Sequence, residues 1–588
     1  MKIFLAAINA KYIHSNLAVY CLRSYSKPFK DQIEIGEYTI NNQVDQIIGS
    51  IYAKKPDFLA FSCYIWNISM VYEVARELRK LLPDTPIWVG GPEVSYDARQ
   101  VLEEHPYIDG VMIGEGEETF YELLQHVVNQ KGSLEEIRGI CYRGADTLCM
   151  TAPREQMDLS KVPFPYEDLE NFENKIIYYE SSRGCPYSCS YCLSSIDKRV
   201  RLRDTEMVKK ELQFFLDRNV VQVKFVDRTF NCNPVHTYEI WKYIHEHDNG
   251  ITNFHFEVSA DILREKEIAL LHQMRPGLVQ LEIGVQSTHA ETIEAIQRKM
   301  DLSKLRKAVD AVKEGRNVHQ HLDLIIGLPY EDYETFSNSF NEVYDMKPDQ
   351  LQLGFLKVLK GSYMHACSKE YNIVYKDSAP YEVLFTKWIS YEDVLRLKEV
   401  EEMVEVYYNS GQFPNAIAYL EHFFVTPFTM FEELAGFYHK NGLFERSHSR
   451  VQRFHWLLEF FKERVGTEED VFAQILTYDC YLREKMKSRP SFASRDELPF
   501  KALLEELEQG EMSLDFLGEE YVNVQLRKLT KLLHVERFTI DVLATVEAKQ
   551  PVKGEQLVFF DYNKRNPLNH DATTYVLNRE IGENLLYQ

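Results

Sequence analysis

Several features are missing from this 588-residue sequence, and each absence excludes a class of protein. No run of eighteen or more apolar residues occurs, so no membrane-spanning helix is predicted. Basic residues number 67 against 90 acidic ones, and the net charge of −23 argues against a general nucleic-acid binder, which would carry a basic surface. The apolar run near the N-terminus is interrupted by Asn9 and Lys11 and precedes no small-residue cleavage site. We therefore predict a first strand there rather than a signal peptide.

The ten cysteines form no array of the kind that secreted disulfide-rich domains show. Unpaired cysteines suit a reducing compartment, so we expect a soluble cytoplasmic protein. A chain of this length exceeds one hydrophobic core, and three or so domains are expected.

Three cysteines lie close together, at Cys185, Cys189 and Cys192, in a C-x3-C-x2-C pattern. A zinc loop would need a fourth Cys or His nearby, and none follows at finger spacing. Cysteine thiolates hold iron–sulfur clusters, and three ligands leave the fourth iron of a [4Fe–4S] cube open for a substrate or cofactor. Cys232 is interpreted as a small buried hydrophobe rather than a fourth ligand.

This loop, with Tyr191 directly before the last cysteine, resembles the cluster loop of radical S-adenosylmethionine (SAM) enzymes. The resemblance implies that the amino and carboxylate groups of SAM chelate the open iron. It also implies that reduction cleaves SAM to a 5′-deoxyadenosyl radical.

Strand and helix patterns alternate over residues 1–135, which predicts an α/β domain with a doubly wound parallel sheet. Ligands of such sheets bind beyond the carboxyl ends of the strands. Three predicted strands end at Ser62, at Gly90-Gly91-Pro92-Glu93 and at Gly114-Glu115-Gly116-Glu117. Glycines there allow backbone to approach a ligand closely. The two carboxylates also suit the start of a helix, which needs no ligand.

These segments resemble the cobalamin-binding domain of one class of radical SAM enzymes, with V-G-G-x-H/E-x at Val89–Val94 and I-G-E-G-E at Ile113–Glu117. The D-x-H-x-x-G signature of domains that supply a histidine ligand to cobalt is missing, and His14 is interpreted as a loop-edge residue. The resemblance implies that cobalamin contacts come from Ser62, Gly90, Gly91, Pro92, Glu93, Gly114, Glu115 and Glu117.

Residues 136–170 are predicted to be a linker with a small hairpin strand at Gly139–Arg143, and residues 171–385 to form a partial (βα)6 barrel with six strands. Active sites of such barrels lie at the carboxyl ends of the strands. The segments Phe225–Phe230, Ile283–Ser287 and Asp323–Pro329 resemble radical SAM motifs. The resemblance makes Tyr191, Glu257, Ser259, Gln286 and Asp323 candidate contacts to SAM or to the barrel mouth, while strand-end caps and turns are the structural alternative.

The strand–helix alternation stops after residue 385, and residues 386–588 are predicted to form a mainly helical domain with terminal strands at Phe538–Val546 and Glu555–Tyr562. Thr426 directly before Pro427 predicts a helix cap. The region resembles a C-terminal domain of unknown function attached to some cobalamin-dependent radical SAM proteins. Lys564 and Arg565 are interpreted as a solvated turn rather than as contacts to an anion.

The combined resemblance implies an enzyme with a [4Fe–4S] cluster, SAM and cobalamin that transfers a methyl group to an unactivated carbon. A cobalamin-dependent rearrangement or cyclisation without methyl transfer stays open, as does a non-catalytic sensor. An electron donor such as flavodoxin or ferredoxin is the expected partner, with no membrane and no general nucleic-acid partner. Neither the substrate nor the oligomeric state follows from the sequence.

Overall fold

The computed structural model describes residues 1–493, 517–518, 521, 524, 526–579 and 585–587. The chain divides into two units: residues 1–336 with 354–391, and residues 337–353 with 392–588. Across the described residues, no helix combines the length and the apolar character that crossing a membrane requires.

The first sheet occupies the N-terminal region. Its strands are β1 Ile3–Asn9, β2 Ile33–Thr39, β3 Phe58–Ser62, β4 Ile87–Gly90, β5 Gly110–Met112, β6 Ile140–Arg143 and β7 Leu148–Met150. The sheet order is β2-β1-β3-β4-β5-β6-β7, and the pairs from β2 to β5 are parallel. In this flavodoxin-like order the strand sequence reverses between β1 and β3, and ligands bind beyond the strand ends at that point.

Helices connect these strands as the alternation predicts. They are Leu17–Tyr25, Val44–Lys54, Ile68–Leu81, Pro92–Ser95, Ala98–Glu104 and Glu117–Asn129. Alternate residues of β1 enter different parts of the core: Phe4 and Ile8 join the apolar cluster that includes Ile47 and Val71. Leu5, between them, is equally buried. A strand that is apolar on both faces is typical of a parallel sheet covered by helices on both sides.

The segment predicted as a linker with a short hairpin strand contains two strands. Residues 140–143 and 148–150 are strands β6 and β7, which extend the first sheet in antiparallel fashion. In β6 the adjacent residues Ile140 and Cys141 are both fully buried. The extended connection therefore begins only after Met150.

The second sheet belongs to the central region. Its order is β15-β14-β13-β12-β11-β8, and the pairs from β8 to β14 are parallel. A short antiparallel pair, β9 with β10, lies between β8 and β11 in the sequence. The strands are β8 Ile177–Tyr179, β9 Ser182–Arg183, β10 Arg201–Leu202, β11 Gln222–Phe225, β12 Asn253–Val258, β13 Val279–Gln286, β14 His319–Ile326 and β15 Gln350–Phe355.

The connecting helices of this region are Thr205–Asp217, Pro234–Glu246, Glu265–Leu271, Ala290–Ala295, Leu302–Glu314 and Tyr333–Tyr344. Helix Tyr363–Cys367 and a hairpin of β16 Val374–Tyr375 with β17 Val383–Phe385 follow β15. The six strands confirm the prediction of a partial rather than an eight-stranded barrel.

Helices dominate the first part of the last region, as predicted. They are Tyr391–Val404, which continues as a π-helical turn to Asn409, and Pro414–Leu420, Pro427–Lys440, Arg450–Arg464 and Glu469–Arg483. The aromatic residues of Pro427–Lys440 are core residues: Phe428, Phe431 and Tyr438 are each at most 3% exposed.

The end of the chain is more regular than predicted. After helix Leu526–Leu532, an antiparallel sheet runs in the order β18-β19-β20-β21, and helix Val542–Ala548 follows β18. The predicted strand at Phe538–Val546 is wrong beyond Ile540, because Asp541 caps a helix by accepting from the Ala544 amide. The strands are β18 Leu533–Ile540, β19 Lys553–Arg565, β20 Ala572–Arg579 and β21 Leu585–Tyr587.

The helix cap predicted at Thr426 is confirmed and can be tested. Its hydroxyl accepts from the Thr429 amide at 3.2 Å, and Pro427 occupies the first helical position. Thr426→Ala should lower the free energy of unfolding of this unit by about 1 kcal/mol, because one helix amide loses its partner. Thr426→Ser keeps the hydroxyl and should cost much less in the same urea titration; equal losses for both variants would contradict the capping role.

Candidate active site

A cavity of about 780 Å³ lies within the first unit, at the strand ends of the first sheet. Its walls come from two separate regions of the chain. Residues from the first sheet include Asn9, Ser62, Gly90, Gly91, Pro92, Gly114, Glu115 and Glu117, and residues from the second region include Tyr178, Glu180, Ser182, Arg183, Gly184 and Arg228. Most of the predicted strand-end residues therefore meet at one cavity, together with the start of the cysteine loop.

Backbone forms much of the wall from the first sheet. Gly91 has φ +119°, and a Cβ there would lie 2.4 Å from the carbonyl oxygen of Cys63. Gly114 has φ +77°, and a Cβ there would project into open space. Glycine is thus required by conformation at both positions, and at Gly114 it also leaves room for a ligand. The Ser62 hydroxyl accepts from Asn16 Nδ2 at 3.1 Å.

Glu93 is placed differently from the expectation. It does not belong to the cavity wall, and its side chain is buried against residues from the end of the same unit. Tyr381 donates its hydroxyl to the carboxylate, and Lys360 Nζ lies 3.9 Å away while pairing with Asp97 at 2.8 Å. Burial raises the pKa of Glu93. A carboxylate engaged by a tyrosine and near a lysine holds these segments together, and the cobalamin contact of Glu93 stays a prediction.

Glu115 and Glu117 line the cavity, but their carboxylates are engaged by arginines. Arg183 contacts Glu117 at 2.8 Å and Glu180 at 2.7 Å, and its Nη1 lies 3.6 Å from Glu115. Arg201 contacts Glu115 at 2.5 Å. Although burial opposes the charged form, the hydrogen bond from Arg201 and the charge of Arg183 hold the pKa of Glu115 below its usual value. We call Arg183, Arg201, Glu115, Glu117 and Glu180 the arginine clamp.

The clamp fixes the base of the cysteine loop. Arg183 and Arg201 are directly paired residues of β9 and β10, so the loop of residues 184–200 begins and ends at the clamp. Gly184 has φ +97°, and a Cβ there would lie 2.5 Å from the Arg199 carbonyl. The backbone of the loop is therefore closed tightly just before Cys185.

Asp227, the aspartate of the F-x-D-x-x-F motif, secures the same base from another side. Its carboxylate accepts from the Ser181 amide at 2.9 Å and from the hydroxyls of Ser181 and Ser182 at 2.7 and 2.6 Å. The side chain is fully buried, and burial raises the pKa of Asp227 to about 6. The residue therefore positions the loop rather than contacting a ligand.

The three cysteines lie on this loop in a partly shielded environment. Cys185 and Cys189 are 8% and 7% exposed, and Cys192 is half-buried. Arg298 Nη1 lies 3.7 Å from Cys189 Sγ and 3.3 Å from the Tyr191 hydroxyl. Among the described side chains, no set of three or more Cys, His, Asp or Glu is already arranged as metal ligands. The cluster thus stays a prediction from the loop pattern and from the adjacent cation, which would favour thiolates.

Polar side chains line one face of the barrel strands. In β13 buried apolar residues alternate with half-buried Gln280, Glu282, Gly284 and Gln286. Gln286 has φ +74°, and its buried Oε1 has no hydrogen-bond partner among the described residues. Strain and an unsatisfied acceptor together are typical of a ligand contact.

The other predicted barrel-mouth residues have partners of their own. Ser259 donates to Asp261 at 2.7 Å, and Asp323 lies 3.0 Å from His321. Glu257 lies 3.9 Å from Arg228, and the charges of Lys224, Glu282 and Asp323 also act on it. Burial raises the pKa of Glu257 to about 7. Tyr191 packs in an apolar cluster with Ile296, Leu328 and Met364, so it supports the loop from within.

His14 also lines the cavity, which the sequence did not indicate. Its Nδ1 lies 2.7 Å from the hydroxyl of Tyr178 on β8. Burial lowers the pKa of His14, so the imidazole is neutral near pH 7. Arg183, Arg201 and Arg298 were missed as site residues, because each acts on a partner that is remote in sequence or belongs to another motif.

The two regions of the chain that line the cavity match two known families. Residues 5–124 match the B12 binding domain, and residues 179–343 match the radical SAM superfamily. The chain therefore carries a B12-binding domain followed by a radical SAM domain. Residues 369–560 match a family described as a protein of unknown function, DUF4080. The resemblances proposed from the motifs are thereby confirmed.

Individual relatives are distant. The chain is 27% identical over 310 residues to the cobalamin-dependent radical SAM methyltransferase TokK of Streptomyces tokunonensis, and the alignment covers 50% of this chain and 45% of TokK. It is 23% identical over 339 residues to the anaerobic magnesium-protoporphyrin IX monomethyl ester cyclase of Rubrivivax gelatinosus, covering 55% and 60%. The chain thus spans about half the length of the curated relatives it matches.

The similarity to one solved structure extends over more of the chain. The cobalamin-dependent SAM radical enzyme OxsB, solved with aqua-cobalamin and SAM, superposes with a TM-score of 0.58 at 15% identity. The match covers 87% of this chain and 82% of OxsB. At this identity the likeness concerns the fold.

The arginine clamp should be essential for stability. Arg183→Met leaves Glu117, whose side chain is 6% exposed, and Glu180 without their cation. We expect the free energy of the first unfolding transition to fall by about 3 kcal/mol, because a buried carboxylate is left unpaired. The control is Arg76→Met, which removes an exposed pair with Glu77 and should cost less than about 0.5 kcal/mol. Equal effects of the two variants in denaturant titrations would contradict the clamp.

Glu257 should make stability depend on pH. Its pKa is near 7 in the folded chain and near 4.3 when unfolded, so the folded state binds more protons between these values. Its contribution to stability is therefore lost as the pH rises from about 4.3 to 7. The free energy of unfolding of Glu257→Gln relative to the wild type should be about 1 to 3 kcal/mol higher at pH 8 than at pH 5. Chemical denaturation of both proteins at each pH measures this difference. A difference that does not vary with pH would refute this.

Proposed function

We propose that this chain is an enzyme that uses a [4Fe–4S] cluster, SAM and cobalamin to transfer a methyl group to an unactivated carbon. One observation carries the proposal: the strand ends of the B12-binding domain and the base of the cysteine loop line the same cavity. The similarity to a methyltransferase such as TokK supports the reaction type.

The residues present fit cobalamin on the side of the first sheet. The cavity lies at the switch point of a flavodoxin-like sheet, where such folds hold large cofactors. Gly114 leaves its part of the wall free of a side chain, and Gly91 and Pro92 continue the wall. Cobalamin would therefore contact backbone around Ser62, Gly90, Gly91, Pro92 and Gly114. The carboxylates of Glu115 and Glu117 would serve it indirectly, through the clamp.

The residues also fit a cluster with SAM on the opposite side. Cys185, Cys189 and Cys192 would ligate three irons, and the Arg298 guanidinium next to Cys189 would offset the charge of the thiolates. Gln286 has an acceptor free for a cofactor hydroxyl or amino group. Glu257, Ser259 and Asp323 extend this polar surface along the strand ends.

When bound, these cofactors supply the radical and methyl-transfer chemistry, which side chains cannot perform. The chain's own residues then bind, orient and shield. Arg183 and Asp227 hold the loop base, Gly114 leaves room for a cofactor, and Tyr191 packs against apolar residues next to the loop. Reduction of the cluster requires an electron donor, for which a flavodoxin or ferredoxin is suited. The methyl acceptor is bound by the parts of the barrel mouth that the cofactors leave open.

The proposal predicts the products of SAM turnover. After anaerobic reconstitution with iron, sulfide and hydroxocobalamin, SAM and a strong reductant should yield both 5′-deoxyadenosine and S-adenosylhomocysteine by mass spectrometry. Cys189→Ala should abolish the cluster absorbance and the deoxyadenosine, because a ligand is lost. Cys232→Ala, in which a half-buried cysteine outside the loop is replaced, should retain both.

Other outcomes would favour a different function or contradict the ligand assignment. Deoxyadenosine without S-adenosylhomocysteine, with candidate acceptors supplied, would favour a rearrangement or cyclisation. Neither product, in a protein that retains cobalamin and a cluster, would favour a sensor. Unchanged cluster absorbance in Cys189→Ala would contradict the ligand assignment.

A further inference from the structure

A second pocket, of about 550 Å³, lies in the unit of residues 337–353 and 392–588, which no comparison connects to an activity. Four parts of the chain meet there: the turn before helix Pro414–Leu420, the start of helix Arg450–Arg464, the end of helix Glu469–Arg483, and the turn between β19 and β20. The pocket is lined by Gln412, Arg450, Arg483, Glu484, Arg565 and His570. We call it the arginine pocket.

Charge is the unusual property of this pocket. Three guanidinium groups line it, against one carboxylate in the wall, Glu484, and one behind it, Asp571. The whole chain carries a net charge of −23, so this is a positive site on an acidic protein. Like charges brought together repel each other, and a bound anion would remove that cost.

The existing contacts leave much of the hydrogen-bonding capacity unused. Arg450 donates from Nη1 to Glu484 and from Nη2 to the Cys480 carbonyl at 3.1 Å. Its Nε is buried and has no partner among the described residues. Among the described residues, all the polar contacts of Arg483 and Arg565 are made by their Nη1 atoms. With respect to the part of the chain that the structure describes, Arg450 thus keeps a free Nε, and Arg483 and Arg565 keep free Nε and Nη2 atoms. Planar guanidinium groups with free N–H donors match the geometry of a phosphate.

The amide of Gln412 adds a different requirement. Its Oε1 is buried and has no hydrogen-bond partner among the described residues. An acceptor of this kind needs a donor, which a phosphate dianion lacks but a hydroxyl group has. The two unsatisfied atoms together, Arg450 Nε and Gln412 Oε1, fit a ligand that combines an anion with a hydroxyl.

The backbone of the turn between β19 and β20 is irregular at the pocket. The strand register shifts between Asp561 and Arg565, and His570 adopts φ +61°. Bulges re-aim side chains, and left-handed backbone at a residue other than glycine often marks a functional site. The irregularity places Arg565 and His570 at the same pocket, although the turn was interpreted as merely solvated.

We propose that the arginine pocket binds a small phosphorylated molecule that carries hydroxyl groups, with the phosphate held by Arg450, Arg483 and Arg565 and a hydroxyl by Gln412. This site is independent of the proposed methyl transfer. Its test therefore needs neither reductant nor SAM.

The test is isothermal titration of the full chain with glycerol 3-phosphate, inorganic phosphate and glycerol. We expect saturable binding of glycerol 3-phosphate, severalfold weaker binding of phosphate, and none of glycerol. Arg450→Gln and Arg565→Gln should each weaken binding of glycerol 3-phosphate at least about tenfold, as the loss of a charge-assisted hydrogen bond does. Gln412→Leu should abolish the preference for glycerol 3-phosphate over phosphate.

One variant should act in the opposite direction. Glu484→Gln removes the carboxylate that competes for Arg450, so it should tighten binding severalfold. This gain keeps the proposal falsifiable if an arginine variant unfolds. The control is Lys440→Gln, at an exposed pair with Glu463 in the same unit, which should leave the affinity unchanged.

Three results would overturn the proposal. They are no saturable binding of either phosphate compound, equal affinities across the Arg450, Arg565 and Glu484 variants, and displacement of glycerol 3-phosphate by tRNA at much lower concentration. The last result would indicate a nucleic-acid phosphate backbone as the ligand instead.

Discussion

Arg183 is the residue on which the arrangement of the cavity depends. It is the last residue before Gly184 and the cysteine loop, and its guanidinium is shared between Glu180 next to it and Glu117 of the first sheet domain. A buried carboxylate without a cation is strongly unfavourable, so the loop base cannot move away from the strand ends without a large cost. One electrostatic constraint thus holds the two signature loops at a common cavity.

The periodicity and spacing of residues in the sequence were sufficient to predict most of the fold. Buried strands such as Phe58–Ser62 and the amphipathic helix Ile68–Leu81 have patterns that only one type of element satisfies. The failures occur where the pattern is ambiguous. Helix Leu17–Tyr25 has nine residues and was not predicted, and Val542–Ala548 contains β-branched residues typical of strands. In the latter, the cap at Asp541 and tertiary packing decide.

The site was predictable where chemistry requires a fixed local spacing, as for the three cysteines and the strand-end glycines. It was not predictable at positions where the same side chain could contact either a ligand or another residue of the protein. Glu93 belongs to a recognisable motif, but its carboxylate contacts Tyr381, 288 residues away. Arg298 reaches Cys189 from 109 residues away with no motif of its own. Such pairings depend on the folded geometry, which no local pattern encodes.

The central claim is that cobalamin and the cluster occupy one cavity, and pulsed electron paramagnetic resonance of the reconstituted protein tests it most directly. With the cluster reduced and the cobalt in its paramagnetic Co(II) state, the account predicts a strong dipolar coupling between the two centres. The same coupling should be lost when Cys185 is replaced by alanine. Two full-intensity signals that relax independently of each other would contradict the account.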